Sequence, residues 1–495
     1  MEEYKINLGE YFLEMLENTE TMSFKNFIGG VWRRGKAGKK IDIYSPINGS
    51  RIADVSAATE EDVEDAIKAA YEARTSISSM PGFRRAKMLN EAGNELEKHK
   101  EEFVQMLMLE AAKTKDLAAG EVTTAINRLG MMMQDLKMLE ETYLRGDWSS
   151  DKQGKNAIIR KEPVGTVLCI SSFNYPLFSM VSKVAPALLA GNSVVGKPAT
   201  DDPITALMFA RVLEKVGFPA GTINMITGRG SDIGDLLIKN KKISMVTATG
   251  STSTGLHIAE IAGIKKLHLE LGGKGTAIVD SDADIELAAS KILEGALRYS
   301  GQRCDAISRV IVIKDVHKVL VEKLLEGIDA YKLGNPFDAG VRIVPLINEK
   351  AAIKAEELVK DAIENKATLL KGGTRHKNSF EATLLDNVPL NARIAWEETF
   401  GPVVVVMEAK SLDEAIRLVK GSDYALDSCI FTRNVEKAIE VAKELDEGTV
   451  TINDMPSHGT GYFPFGGNKN SGLGREGIGY SAEEMTRIKV IQGEI

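Results

Sequence analysis

The chain has 495 residues, enough for about three domains of ordinary size or two large ones. Its 43% hydrophobic and 27% charged content is that of a globular protein, and a net charge of −8 argues against a binder of duplex nucleic acid, which needs a basic surface. Three cysteines exclude a disulfide scaffold and a four-cysteine zinc site, and an odd, sparse count suits a reducing compartment.

The N-terminal segment is acidic and lacks an apolar core, so no signal peptide is expected there, and no run of 18 apolar residues occurs. The expectation is a soluble cytoplasmic protein. Leu8, Phe12, Met15 and Leu16 share a helical face, which predicts a short amphipathic helix, and Phe27-Ile28-Gly29-Gly30-Val31-Trp32 reads as strand, turn and strand. Residues 60–145 are predicted mostly helical, with long helices over 61–75 and 84–109. The texture then changes. Val164-Gly165-Thr166-Val167-Leu168-Cys169-Ile170 is an apolar run typical of a buried strand. Strands over 193–196, 223–227 and 244–248 follow, alternating with helices over 176–189, 203–216, 232–240 and 252–262, the pattern of βαβ units around a parallel sheet. After Lys274 the pattern restarts. Strands are predicted over 277–279, 310–313 and 403–407, and helices over 284–299, 316–331, 350–364, 412–420 and 435–445. This is a second α/β lobe, with no internal repeat and no flexible linker.

Six segments could carry chemistry. Cys169 and Cys429 lie in apolar strands and read as small buried hydrophobes. Cys304, in Ser300-Gly301-Gln302-Arg303-Cys304, follows a helix and precedes a strand. There Arg303 and a glycine turn could give a thiolate both a positive neighbour and access, the alternative being a core cysteine beside a surface arginine. Glu270, in Leu267-His268-Leu269-Glu270-Leu271-Gly272-Gly273-Lys274, ends a strand and could act as a base if desolvated; an ion-paired surface glutamate is the simpler alternative. The turns Gly228-Arg229-Gly230 and Thr249-Gly250-Ser251-Thr252 each follow a strand and could present N–H groups to a phosphate, or merely cap a helix. Lys197 ends a strand in Gly196-Lys197-Pro198. Asn174, in Phe173-Asn174-Tyr175-Pro176, could donate to an oxyanion or cap a helix.

Taken in order, these segments, with Glu397-Glu398-Thr399-Phe400-Gly401-Pro402 and Pro464-Phe465-Gly466-Gly467, resemble the NAD(P)-dependent aldehyde dehydrogenase superfamily across nearly the whole chain. The resemblance implies two Rossmann-type α/β domains and a β-strand oligomerisation extension: a cofactor domain from 1–141 and 164–273, a catalytic domain from 274–471, and an extension from 142–163 and 472–495. It implies Cys304 as nucleophile, Asn174 as oxyanion donor and Glu270 as the base that hydrolyses a thioester. Lys197, Gly230, Gly250, Ser251, Glu398 and Phe400 are the expected cofactor contacts. Thr200 stands where NAD-preferring members often carry a glutamate, so NADP is expected, with NAD as the alternative. No metal is expected.

Tyr175, Arg303 and the region of His458 resemble the non-phosphorylating glyceraldehyde-3-phosphate dehydrogenase branch, and its archaeal members in particular. That branch implies glyceraldehyde 3-phosphate oxidised to 3-phosphoglycerate. The bacterial pattern has arginines where Thr124 and His458 stand here; Arg128, one helical turn on, is the expected substitute. A small unphosphorylated aldehyde (lactaldehyde, glyceraldehyde or succinate semialdehyde), a coenzyme A-acylating enzyme and a non-catalytic NAD(P)-binding homologue are the alternatives. Alternating Ile158-Ile159-Arg160-Lys161 and Ile488-Lys489-Val490-Ile491 suit edge strands that pair between subunits, so a homodimer or homotetramer is expected.

Overall fold

The computed structural model describes residues 4–494; residues 1–3 and 495, at the outer ends of the expected cofactor and extension segments, lie outside it. Two large sheets carry the architecture. The first holds eight strands in the order Gly472–Leu473, Lys266–Glu270, Met245–Thr249, Thr166–Ile170, Ser193–Lys197, Ile223–Met225, Asn26–Ile28, Val31–Arg33. Its middle five strands are parallel, and antiparallel strands close each edge. The apolar β-branched runs at the centre, Thr166–Ile170 and Ser193–Lys197, are almost wholly buried because helices cover both faces. The second sheet has seven strands, in the order Thr368–Lys371, Thr383–Asp386, Val403–Ala409, Ile307–Ile313, Gly275–Val279, Asp427–Phe431, Thr449–Ile452, all parallel except the first.

In the first sheet the chain runs from Thr166–Ile170 outward one way, then returns to add Met245–Thr249 on the other side. That reversal opens a crevice beyond the C-terminal ends of the two strands, where α/β proteins bind ligands. The chain crosses to the second sheet through Leu271-Gly272-Gly273-Lys274, so the C-terminal edge of one sheet meets the N-terminal edge of the other. Gly272 and Gly273 permit this approach. A Cβ on Gly272 would lie 2.6 Å from Oε1 of Glu398, and one on Gly273 would lie 2.6 Å from the carbonyl oxygen of Cys304.

A third sheet pairs Thr486–Gly493, Asn156–Pro163 and Thr142–Arg145 antiparallel. It exposes Ile488, Val490, Tyr143 and Leu144.

Some expectations are corrected. The N-terminal helix is a single 3₁₀ turn, Glu10–Met15, which buries Phe12 and Met15 and leads into a strand. The helix expected over 84–109 is two, Gly82–Lys98 and Lys100–Ala111, broken at His99. The helix expected to reach Tyr299 stops at Leu297. The chain then turns through Tyr299 and Ser300 in the left-handed region (φ 51° and 55°). Such residues cost about 1 kcal/mol or more each, so the surroundings must hold them. The Tyr299 hydroxyl donates to the Ala111 carbonyl at 2.7 Å and the Ser300 hydroxyl to that of Val344 at 2.8 Å. Among the described residues no helix is long and apolar enough to cross a membrane.

Candidate active site

The strained turn delivers Cys304 to a cavity of about 310 Å³ between the two sheets. Asn174, Tyr175, Glu270, Arg303, Cys304 and His458 all line it, although they come from four separate stretches of chain. Cys304 is the accessible thiol; Cys169 and Cys429 are fully buried, as their apolar strands predicted.

Asn174 follows Thr166–Ile170 and is buried. Its Oδ1 accepts from the Ser172 hydroxyl (2.8 Å), and its Nδ2 donates to the Gln302 carbonyl (3.0 Å), two residues before Cys304. One amide proton remains for a ligand. Asn174 is not the helix cap. The first amides of the Pro176–Leu189 helix, those of Leu177 and Phe178, donate instead to Oε1 of Glu121, both at 3.0 Å. Glu121 is in turn held by the buried Lys113 ammonium at 2.5 Å.

Glu270 ends its strand 4% exposed, and neither carboxylate oxygen has a hydrogen-bond partner. Burial pushes its pKa well above the usual carboxylate range and the Glu476 carboxylate adds to the rise, while Lys183, His458 and Arg475 oppose it. Once ionised, a carboxylate held so is a stronger base than usual and can take a proton from water. The Cys304 thiol is also pushed well above its ordinary value, first by burial, then by Asp305, Asp427 and Glu270. The expected help from Arg303 is therefore weak. Its Nη2 is spent on Asp305 Oδ2 (2.9 Å) and the Pro456 carbonyl (3.1 Å), and its charge is matched by that carboxylate. Nη1 of Arg303 is buried without a partner.

The expected cofactor contacts gather at the crevice. Lys197 is buried, bonded only to the Pro198 carbonyl (3.2 Å), and burial pushes its pKa down to about 8. Thr200 lies on the same loop, its hydroxyl 3.4 Å from the Gly228 carbonyl. Ser251 caps the helix Thr252–Ile261, accepting from the Thr254 amide at 3.3 Å, so the following amides face the crevice. Nothing lies within 4 Å of a Cβ placed on Gly230, and only Thr254 reaches 4.0 Å from one on Gly250. Glu398 accepts from the Gly273 amide at 3.0 Å, and Phe400 (φ 51°) meets Phe173 edge-on at 5.7 Å. Open backbone at two turns, an amide-lined helix start and a lysine without a counter-ion fit a dinucleotide.

A sequence profile described as the aldehyde dehydrogenase family matches residues 32–491. The chain belongs to the aldehyde dehydrogenase family. It is 40% identical over 470 residues to the NADP-dependent glyceraldehyde-3-phosphate dehydrogenase of Streptococcus equinus, covering 95% of this chain and 98% of that one. It is 37% identical over 469 residues to the protein of that name from Pisum sativum, covering 94% of each. The crystal structure of the Bacillus halodurans C-125 protein of that name, complexed with NADP, has a TM-score of 0.93 at 41% identity, covering 94% of this chain and 98% of that one.

For this aldehyde dehydrogenase, one expected substrate contact is displaced. Arg128 does not face the cavity. It is 1% exposed and paired with the buried Asp135, and its guanidinium also reaches the Gly477 carbonyl. The helical periodicity that put it one turn from Thr124 also turns it inward, away from the lining residues Gly120, Glu121 and Thr124. The sequence reading missed Arg298, an exposed arginine lining the cavity, and the buried pair Lys183–Glu476 (2.6 Å). Arg298 lies six residues before Cys304, a signal that was available. Lys183 and Glu476 are 293 residues apart, and nothing in the sequence links them.

Proposed function

We propose that this dehydrogenase oxidises glyceraldehyde 3-phosphate to 3-phosphoglycerate with NADP, without forming an acyl phosphate. The observation that carries the reading is the buried, unpartnered Nη1 of Arg303 beside the thiol, a guanidinium donor waiting for an anion. Arg298 is positioned to add the charge that Thr124 does not supply. His458 adds another. Its Nδ1 lies 3.1 Å from the Gly459 carbonyl, which only accepts, and its Nε2 lies 3.5 Å from Glu476, which favours the doubly protonated ring. The names of the relatives point the same way. Threonine in place of an acid at position 200 supports NADP.

In this reading the Cys304 thiolate attacks the aldehyde carbon and forms a thiohemiacetal. The free amide proton of Asn174 and the backbone N–H of Cys304 meet the oxyanion. The nicotinamide, when bound, supplies the two-electron acceptor that turns the thiohemiacetal into a thioester. Glu270 then takes a proton from water as its oxygen attacks the acyl carbon, freeing the acid and returning the thiol. We further propose that the extension sheet pairs with a second copy, giving a dimer or tetramer, that the protein is cytoplasmic, and that the division at 141–142, 163–164, 273–274 and 471–472 separates the domains.

The test compares glyceraldehyde 3-phosphate with glyceraldehyde, using NADP and NAD. One charge-assisted hydrogen bond is worth about 1.5–3 kcal/mol, so Arg303→Ala should lower kcat/KM for the phosphorylated aldehyde by roughly 10–150-fold more than for glyceraldehyde, which feels only the loss of the counter-ion to Asp305. Equal losses on both substrates would remove the phosphate contact from the reading.

A further inference from the structure

On the strand Lys266–Glu270, His268 and Glu270 are two residues apart and share a face. Parallel pairing sets Thr247 of the neighbouring strand directly beside His268. All three are buried. Nδ1 of His268 lies 3.0 Å from the Thr247 hydroxyl, and Nε2 lies 3.3 Å from Oε1 of Glu270. Neither that nitrogen nor either carboxylate oxygen has another partner. Buried polar atoms left without partners lose about 1–3 kcal/mol each, which makes two such atoms 3.3 Å apart natural partners for one another.

We infer that His268, its ring held by Thr247 at Nδ1, is a positioning residue for the hydrolytic base: its Nε2–H holds Oε1 of Glu270 and leaves Oε2 free for the water. With Nε2–H turned to the glutamate, Nδ1 is left as an acceptor, and the threonine hydroxyl can donate to it. The Nε2 proton stabilises the ionised glutamate against burial. Burial also brings His268 down to about 4, so it stays neutral and acts as a donor rather than a second base. The titratable and charged groups facing the pair from other elements are Lys183, Cys304, Asp427, His458, Arg475, Glu476 and Glu484. Lys183 and Glu476 are paired with each other, which leaves the histidine as the uncharged donor to the glutamate.

The inference rests on Glu270 as the base of thioester hydrolysis. Rapid mixing of enzyme, NADP and glyceraldehyde separates a burst of reduced cofactor, which reports acylation, from the steady rate, which reports hydrolysis. With His268→Ala the burst should persist. The steady rate should fall about 10-fold at neutral pH, and the acid limb of its pH profile should move up by about one unit, the equivalent of a tenfold change in ionisation. His268→Gln, whose amide can donate but not titrate, should restore most of the rate. Thr247→Val should give a smaller shift in the same direction and decides the matter if His268→Ala does not fold. An unmoved acid limb in folded His268→Ala, or His268→Gln no better than alanine, overturns the inference. A Glu270→Gln enzyme that still hydrolyses after its burst overturns the base reading instead.

Discussion

Arg128 presents a choice between two roles with different consequences. It was expected to bind the substrate phosphate, yet its guanidinium lies in the core against Asp135, whose Oδ1 accepts from Nη2 at 3.1 Å. The same oxygen accepts from the Gly479 amide at 2.6 Å, so the pair ties the helices Lys115–Gly130 and Met132–Lys137 to the loop before the C-terminal strand. Asp135→Asn isolates the charge, because the amide oxygen still serves Gly479 while the guanidinium loses its counter-ion. Breaking a buried pair from one side costs about 3–5 kcal/mol. At roughly 2 °C per kcal/mol for a domain of this size, the apparent melting temperature should fall by about 6–10 °C. Arg128→Met/Asp135→Asn should recover most of that loss, since no charge remains to strand. Melting at a fixed scan rate gives the stability arm, and KM for glyceraldehyde 3-phosphate and for glyceraldehyde gives the functional arm. If Arg128→Met left melting unchanged and raised KM about tenfold for the phosphorylated aldehyde alone, the structural role would be refuted.

Cys304→Ala should abolish aldehyde oxidation while Cys169→Ala and Cys429→Ala stay active; alkylation of Cys304 by iodoacetamide should rise with pH through a midpoint above the ordinary thiol value of about 8.5, and a midpoint below 7 would contradict the burial argument. Thr200→Glu should lower kcat/KM with NADP at least about tenfold and spare NAD, because like charges a few ångströms apart repel by several kcal/mol in a partly desolvated site; equal effects on both cofactors would move the 2′-phosphate elsewhere. Ile488→Asp/Val490→Asp should shift the protein to monomer in light scattering, and a wild-type monomer would remove the proposed assembly.

The proposed catalytic side chains were legible because each sits at the end of a strongly patterned element. Cys304, Glu270 and Asn174 flank apolar strands that the sequence marks plainly, and the helix Pro176–Leu189 was found to the residue. The catalytic-lobe strands Thr368–Lys371 and Thr383–Asp386 were not, since strands of four residues carry too few alternations to register. The break at His99 was missed for a different reason. Apolar residues continue in helical phase on both sides of it, and the kink has neither glycine nor proline to announce it. Arg128 shows the limit most clearly. A helical turn fixes direction along the helix, but which face meets the cavity depends on what the helix packs against, and that is tertiary information.

The same limit explains why the thiol's electrostatics were misjudged. Sequence placed a cation next to Cys304, but folding placed Asp305 on that cation and Asp427 and Glu270 near the sulfur. Burial raises both Cys304 and Glu270, and the Glu270 carboxylate adds to the rise at Cys304, so the two resist ionising together. The two steps of the proposed chemistry need them in turn, the thiolate first and the carboxylate second. A cavity that favours one anion at a time therefore suits a mechanism in which attack consumes the first charge before hydrolysis calls for the second.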